Sequence, residues 1–341
     1  MTRKIISLND SNWRFGSVAQ KSFSDVNDLA DVTEWLPAQV PGDVRLDLLR
    51  AGKIGDPFFA DNNEASQWVD TCDWWYIRDL DLALENDERA FLIFDGIDYQ
   101  SAIFFDGEQL GRHTGMFSRQ IVELPNRKSK IENQKSEIAV RVWGSDALPK
   151  LKRTLAQQLW ARLVKPLYTP PSEPFPDRYA TLKCQMQFGW DFAPRLRTCG
   201  IWDGAYIIVA RSVFIEDVWI KSQIPNSQFK DARVQVALML DSDRAQNVHI
   251  ACIVRGKNFQ ADTKTFKFDL NLTRGTQVRE ITFDLPDAHL WNPWDRGEPN
   301  LYEIDMVIAR SGATKQSRPF AKGMGFPRPL RGLAMTISNR A

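Results

Sequence analysis

The run Phe188-Gly189-Trp190-Asp191 places an indole ring next to a carboxylate, and this combination is able to bind a sugar. A pyranose has an apolar C–H face that stacks on an indole, and hydroxyl groups that donate hydrogen bonds to a carboxylate. Trp190 and Asp191 are therefore candidate substrate-binding residues. From the residues alone, a core tryptophan beside a turn aspartate is an alternative explanation, and it stays open.

Other reactive side chains are scattered along the chain. The four cysteines (Cys72, Cys184, Cys199 and Cys252) form no CxxC pair, and the sequence contains only three histidines. This pattern argues against a zinc ribbon and against a disulfide scaffold. The sequence predicts no catalytic residue, no cofactor and no metal site.

Charge and hydropathy exclude several classes of protein. Lys plus Arg number 44 and Asp plus Glu number 43, so no overall field draws the chain to nucleic acid or to an anionic membrane. No apolar run approaches 18 residues, which argues against a membrane-spanning helix. The N-terminal apolar core, Ile5-Ile6, is too short for a secretory signal, so a cytoplasmic location is expected.

The first part of the 341-residue chain has the pattern of a β-sandwich. Apolar runs at Phe91–Phe94 and Ser101–Phe105 are each followed by Asp-Gly, at 95–96 and 106–107, which predicts hairpins. A short helix is predicted at Val44–Ala51. Because many strands are needed to close its sheets, residues 1–212 are predicted to form a jelly-roll-type domain.

Two segments of this first domain have a different pattern. Leucines recur every four residues from Leu151 to Leu163, which predicts an amphipathic helix over residues 147–164. The following stretch, 165–180, contains five prolines and is predicted to be a rigid loop.

Residues 213–320 predict an immunoglobulin-like β-sandwich. Six segments of about eight residues have the composition of strands and are separated by polar turns. They are FIEDVWIK, ARVQVALML, NVHIACIV, TFKFDLNL, VREITFDL and LYEIDMVIA. The fold class is therefore mainly β, with a jelly-roll-type sandwich followed by an immunoglobulin-like one.

A series of motifs, in order and spacing, resembles the N-terminal part of the β-mannosidases of glycoside hydrolase family 2. The resemblance covers about residues 10–325. The motifs are Val40-Pro41-Gly42-Asp43, Asp56-Pro57-Phe58, Asn63-Glu64, Gln67-Trp68-Val69, Asp73-Trp74-Trp75-Tyr76, Phe94-Asp95-Gly96-Ile97-Asp98, Phe188-Gly189-Trp190-Asp191 and Gly200-Ile201-Trp202.

The resemblance implies a (β/α)8 barrel with two catalytic glutamates after the two sandwiches. Such a barrel takes about 250 residues, which this sequence does not supply. Gly325-Phe326-Pro327-Arg328 stands where the family motif leads into the barrel, so residues 321–341 are interpreted as a truncated lead-in. Retaining glycosidases need two carboxyl groups about 5–5.5 Å apart. No such pair is evident in the sequence, and the chain is predicted to be inactive alone.

The resemblance also assigns roles to individual residues. It implies that the loop carrying Trp190 and Asp191 reaches the active site, where the aspartate binds hydroxyls of the terminal mannose and the tryptophan lines the pocket. Phe192-Ala193 departs from the Trp-Gly usual in the family, which changes this loop. Asn63-Glu64 is similar to the family's acid/base signature, but its place in the first domain predicts a loop carboxylate with a structural hydrogen bond.

A second aromatic cluster consists of Trp68 and Trp74-Trp75-Tyr76. Because alternate residues of a strand face opposite sides, we expect one side of 74–76 to fill the core and the other to be available to the barrel.

Two functions follow from these observations. The first is the N-terminal, non-catalytic portion of a β-mannosidase-like exo-glycosidase, which acts on a β-mannoside or oligosaccharide when complete, with a separately encoded barrel as one possible partner. The alternative is a stand-alone carbohydrate-binding or scaffold protein that has lost its barrel. Neither a nucleic acid nor a membrane is expected as a partner.

Overall fold

The computed structural model describes residues 4–20, 26–126, 136–149, 154–156, 159, 178–225, 231–309 and 334–339. The chain divides into two compact units. The first comprises Ile5–Glu85 and Ala90–Ile208, and the second comprises Met1–Lys4, Asn86–Arg89 and Val209–Ala341. The sequence prediction set the division between residues 212 and 213. The helix predicted over 147–164 and the loop over 165–180 lie largely outside the described residues.

The described part of the first unit contains two β-sheets. Its strands are β1 (Lys4–Ser7), β2 (Trp13–Ala19), β3 (Leu36–Ala38), β4 (Cys72–Leu80), β5 (Arg89–Phe94), β6 (Gln100–Phe105), β7 (Glu108–Thr114), β8 (Gln120–Leu124), β9 (Ser136–Val142) and β10 (Ala205–Ala210). One sheet has the order β3-β2-β4-β9-β6-β7, and the other has the order β1-β10-β5-β8. This architecture confirms the predicted mainly β sandwich.

Aromatic side chains of β2 and β4 form part of the core of the first unit. The Phe15 ring stacks on Trp74 at 5.7 Å and on Tyr76 at 6.0 Å between ring centroids. Trp74 and Tyr76 lie two residues apart on β4 and therefore point to the same side of the sheet. All three side chains are buried, as the prediction for this side of the strand required.

Trp75 points to the opposite side of the same sheet and is also fully buried. Its ring lies 5.2 Å from that of Phe104 on β6. A 3-10 helix at Val26–Asp31 and the residues after it cover this cluster. The partly buried side chains in contact with it are Leu29, Val32 and Trp35. The expectation that this side would be available to a barrel was therefore wrong, because the chain's own segment already covers it.

The two Asp-Gly pairs have different roles. Asp106 and Gly107 have φ angles of 47° and 80°, which suit the tight turn that joins β6 to β7, and this hairpin is confirmed. Asp95-Gly96 follows β5, but β5 and β6 belong to different sheets, so the hairpin predicted there is wrong. A Cβ at Gly96 would lie 2.6 Å from Nε1 of Trp202. Close packing of this indole, and not a hairpin, therefore requires the glycine.

Short helices connect the strands of the first unit. Helix α1 (Val44–Arg50) forms where the sequence predicted a helix. Asp43 caps its N-terminus, because its Oδ1 accepts a hydrogen bond of 2.8 Å from the backbone N–H of Arg45. Helix α2 (Asn62–Ala65) is a single turn and carries Glu64.

The second unit is an immunoglobulin-like sandwich. Its strands are β11 (Val213–Gln223), β12 (Ala232–Ser242), β13 (Gln246–Gly256), β14 (Lys264–Leu272), β15 (Gly275–Leu285), β16 (Leu301–Ala309) and β17 (Ala334–Asn339). The two sheets have the orders β11-β12-β15 and β14-β13-β16-β17. All six strands predicted in this unit are present. Strand β17 pairs in parallel with β16 and lies in the segment that was interpreted as a lead-in, where no strand was predicted.

Candidate functional site

The candidate residues lie on a loop that precedes β10. A 3-10 helix at Gln185–Phe188 leads to Gly189, whose φ is 99°. A Cβ at this glycine would lie 2.7 Å from Cγ of Arg195, so conformation and space both favour glycine. Trp190 and Ala193 then exchange two backbone hydrogen bonds of 3.3 and 3.2 Å. These bonds close a turn, the 190–193 turn, with residues 191 and 192 at its tip.

The 190–193 turn is exposed to solvent. Trp190 is 51% exposed and Phe192 is 91% exposed, and Asp191 is exposed beside them. Trp190 is therefore not a core residue, whereas Asp191 does lie in a turn, so a purely structural role of the aspartate stays open. The guanidinium carbon of Arg178 lies 5.8 Å from the centroid of the Trp190 ring, within the range of a cation–π contact. Sugar binding by Trp190 and Asp191 stays a prediction.

A buried ion pair anchors the upstream part of the loop. Nζ of Lys183 lies 2.5 Å from Oδ1 of Asp98, and neither side chain is exposed. The same ammonium donates to the carbonyl oxygen of Thr198 at 2.7 Å, and the Thr198 hydroxyl donates to Oδ2 of Asp98 at 2.5 Å. Phe188 packs nearby in a buried cluster with Tyr99, Met116 and Leu148. The two limbs of the loop are thus joined to each other and to the sandwich.

A second buried cluster anchors the downstream part. The Arg197 guanidinium donates to Oδ2 of Asp70 at 2.9 and 3.1 Å, and Arg45 donates to Oδ1 of the same carboxylate at 3.1 Å. The backbone N–H of Cys199 donates to Oδ2 of Asp43 at 2.9 Å. Burial raises the pKa of Asp43, while the backbone hydrogen bonds from Cys199 and Arg45 oppose that rise. Buried charges persist only when they are paired and hydrogen-bonded, as they are here.

Glu64 has a structural contact of the kind that the sequence predicted. Its carboxylate accepts hydrogen bonds of 3.0 and 3.2 Å from Nη2 of Arg195. The Gln67 amide donates to the carbonyl oxygens of Arg195 at 2.8 Å and of Asn63 at 2.9 Å. Helix α2 is therefore tied to the segment that follows the 190–193 turn, and Glu64 is engaged in that tie.

Large apolar side chains are exposed on the two segments that Arg195 joins. We call this surface the aromatic face, and it consists of Phe58, Phe59, Trp68, Trp190 and Phe192. Phe58 is 78% exposed, and Trp68 packs against the buried Trp74 at 6.1 Å between ring centroids. Single exposed apolar residues are ordinary, whereas contiguous exposed apolar patches mark interaction surfaces, and the segments that carry these five are joined through Arg195.

Metal sites and membrane-spanning helices are absent from the part of the chain that the structure describes. There, no group of three His, Cys, Asp or Glu side chains could hold a metal ion. The same residues include no helix that is both long enough and apolar enough to span a membrane.

Sequence reasoning found the tip of the loop but not its anchors. Asp43 and Asp98 stand in motifs of the family resemblance, without an assigned role. Lys183, Arg197 and Asp70 carried no signal at all, because their partners lie far away in the sequence: 85 residues separate Lys183 from Asp98 and 127 separate Arg197 from Asp70. Only the folded chain brings these charges together.

Two family models match this architecture, one for each unit. The model for the glycosyl hydrolase 2 galactose-binding domain-like family matches residues 13–203. The model for glycosyl hydrolases family 2 matches residues 213–324. The chain belongs to family 2 of the glycosyl hydrolases, as its motifs indicated.

Among individual relatives, β-mannosidases are prominent. Beta-mannosidase A of Emericella nidulans is 28% identical over 347 aligned positions, and the alignment covers 94% of this chain and 33% of the relative. Beta-mannosidase A of Aspergillus aculeatus is 25% identical over 316 aligned positions, and the alignment covers 87% of this chain and 32% of the relative. The chain therefore spans about a third of the length of the curated relatives it matches.

Solved structures show the same relationship. A β-D-mannosidase from Dictyoglomus thermophilum superposes with a TM-score of 0.67 at 26% identity, covering 90% of this chain and 34% of that one. A Bacteroides uniformis β-glucuronidase superposes with a TM-score of 0.57 at 15% identity, covering 91% of this chain and 31% of that one. The second likeness shows the fold alone.

Proposed function

We propose that this chain is the N-terminal, non-catalytic portion of a β-mannosidase-like exo-glycosidase and supplies Trp190 and Asp191 to its sugar pocket. The observation that carries the proposal is the exposed 190–193 turn on a base held by buried ion pairs. The substrate in the complete enzyme would be a terminal, non-reducing β-D-mannose residue. The β-mannosidases among the relatives and solved structures support this choice of sugar.

The chemistry of the turn suits one side of a sugar pocket. Asp191 is an exposed carboxylate, and its oxygens can accept hydrogen bonds from sugar hydroxyls. One face of the Trp190 ring has the Arg178 guanidinium near it, so a sugar would stack on the other face. A turn this exposed cannot enclose a ligand by itself, whereas functional pockets bury most of the ligand surface. The proposal therefore includes a second surface that completes the pocket.

The aromatic face supports the presence of such a surface. It lies on the segments tied to the 190–193 turn, so a domain that covers it would also approach Trp190 and Asp191. We propose that the covering domain is the catalytic domain of the enzyme, either encoded separately or joined to this chain. The two catalytic carboxyl groups would then come from that domain, and Glu64 would keep its structural role.

Fusing this chain to the catalytic domain of a related β-mannosidase tests the proposal. We expect the fusion to hydrolyse aryl β-mannosides faster than aryl β-galactosides, and we expect the chain alone to release no aryl alcohol and to bind mannose weakly or not at all. Steady turnover by the chain alone, abolished in Glu64→Gln, would contradict the proposal. Millimolar or tighter mannose binding by the chain alone, lost in Asp191→Ala, would favour the stand-alone carbohydrate-binding alternative.

Exposure of the aromatic face leads to a prediction about the isolated chain. We expect it to self-associate as concentration rises, because covering apolar surface removes it from water. Sedimentation velocity over a concentration series measures this directly. The double variant Phe59→Ser/Phe192→Ser should shift the association to higher concentration, while Trp294→Ser, which alters an 88% exposed side chain of the second unit, should leave it unchanged. A chain that stays monomeric throughout the series would contradict the prediction.

A further inference from the structure

A polar cavity lies in the first unit, on the side of the sheet opposite the Phe15 core. Its volume is about 500 Å3, within the range of about 300–1,000 Å3 usual for small-molecule sites. Residues from β6, β7 and the segments after β2 and β9 line it. The residues that line it include Gln20, Gln100, Arg112, His113, Thr114 and Trp143. None of these residues belongs to the 190–193 turn or to the aromatic face.

Strand register explains how the cavity forms. Arg112 on β7 pairs with Ala102 on β6, which pairs in turn with Arg141 on β9. Thr114 pairs with Gln100 in the neighbouring row, on the same side of the sheet. Gln100, Arg112 and Thr114 therefore lie on one side of β6 and β7, and all three line the cavity.

The two arginines of this row have different surroundings. Arg141 is fully buried, and its guanidinium pairs with Asp28 at 2.6 Å and with Asp73 at 2.5 Å. Arg112 is exposed, and in the described part of the chain no carboxylate pairs with it. Both guanidinium carbons lie over the ring of Trp143, Arg141 at 4.9 Å and Arg112 at 5.1 Å. Trp143 therefore holds Arg112 at the cavity while its hydrogen-bonding groups remain available.

Uncharged polar groups complete the lining. Gln100 and Thr114 offer an amide and a hydroxyl beside Arg112, and Gln20 is held by a 3.3 Å hydrogen bond to the carbonyl oxygen of Gly144. The His113 Nε2 contacts the Ser118 hydroxyl at 2.8 Å. Burial lowers the pKa of His113. Because its side chain alternates to the face of β7 opposite Arg112 and Thr114, the ring takes no part in the contacts proposed below.

We propose that this cavity binds a small acidic sugar of the hexuronate class, with Arg112 pairing to its carboxylate and Gln100 and Thr114 contacting its hydroxyl groups. A guanidinium matches a carboxylate in a bidentate arrangement, which a neutral sugar cannot provide. The surrounding amide and hydroxyl groups suit a polyhydroxylated ligand better than a bare inorganic anion. This site is separate from the proposed mannose pocket, so failure of one proposal would not contradict the other.

Isothermal titration of the full chain with glucuronate tests the proposal, with glucose, acetate and inorganic phosphate as comparisons. We expect glucuronate to bind with millimolar or lower Kd, and Arg112→Gln to weaken it about 10–150-fold, which corresponds to one charge-assisted hydrogen-bonded pair. Arg112→Lys should retain part of the affinity. Arg119→Gln removes another positive charge of the first unit, one that pairs with Asp95 and does not line the cavity, and it should leave binding unchanged.

Several outcomes would overturn the proposal. They are the absence of glucuronate binding at millimolar concentration, equal binding by wild type and Arg112→Gln, and equal binding of glucose and glucuronate. Phosphate or acetate binding as tightly as glucuronate would contradict the role of the hydroxyl contacts. Thermal melting of each variant checks that it is folded. Should Arg112→Gln fail to fold, Gln100→Leu replaces it, and that variant should weaken glucuronate without affecting acetate.

Discussion

Replacing Asp191 with alanine in the fusion to a catalytic domain is expected to lower kcat/KM for an aryl β-mannoside about 10–150-fold. The physical reason is the loss of a charge-assisted hydrogen bond to the sugar, which contributes about 1.5–3 kcal/mol. The loss appears in kcat/KM to the extent that the bond is made in the transition state. Because Asp191 lies at the exposed tip of a turn closed by backbone bonds between Trp190 and Ala193, the melting temperature should not change.

Two further variants give this prediction its controls. Glu64→Gln alters another exposed carboxylate of the same unit, paired to Arg195, and should leave kcat/KM nearly unchanged. Trp190→Ala should weaken binding through lost stacking and should also loosen the loop, since the indole contacts Arg178. Unchanged kinetics in Asp191→Ala together with a lower melting temperature would show that the aspartate only stabilises the turn.

Replacing Lys183 with methionine is expected to have the largest effect on stability. The change leaves the Asp98 carboxylate buried without its cation, and breaking one side of a buried ion pair typically costs about 3–5 kcal/mol. For a unit of this size the corresponding fall in melting temperature is about 6–20 °C. Calorimetry measures the fall, and amide hydrogen exchange should show the loop around Thr198 losing protection, since Lys183 also donates to its carbonyl.

Two further variants distinguish the effect of an unpaired buried charge on stability from the effect of removing a lysine side chain. Lys53→Met removes a lysine of the same unit whose partner, Glu34, lies 2.7 Å away, but both side chains are substantially exposed. Such a pair contributes little, so almost no change is expected. The double variant Lys183→Met/Asp98→Asn should recover much of the lost stability, because no unpaired charge remains and the amide oxygen still accepts from Thr198. A double variant as unstable as Lys183→Met would contradict this account.

Local features of the fold were accessible from the sequence. The strands of the second unit follow from alternating apolar residues, and α1 follows from the spacing of Val44, Leu48 and Leu49. The Asp106-Gly107 turn follows from the backbone preference of that dipeptide. The same dipeptide at 95–96 led to a wrong hairpin, because the glycine there makes room for Trp202 instead of reversing a strand.

Features that depend on distant partners were not accessible. The motif around Trp190 and Asp191 indicated a possible sugar contact, but nothing near it in the sequence indicated that Lys183 pairs with Asp98 or Arg197 with Asp70. The outer side of β4 was likewise misjudged. Alternation on the strand shows that Trp75 faces the side of the sheet opposite Phe15. It does not show that Val32 and Trp35 cover that side. Pairing between remote segments decides both cases.

The 190–193 turn is closed by its own backbone bonds, whereas its base is held by buried charges. This difference affects how the protein can change over time. Substitutions at residues 191 and 192 alter side chains that protrude into solvent, so they should be nearly neutral for folding while changing what the loop touches. Substitutions at Lys183, Asp98, Arg197 or Asp70 would be removed by selection through loss of folded protein. The loop is therefore well suited to diversification: a library randomised at its tip should consist mostly of folded members that differ in ligand preference.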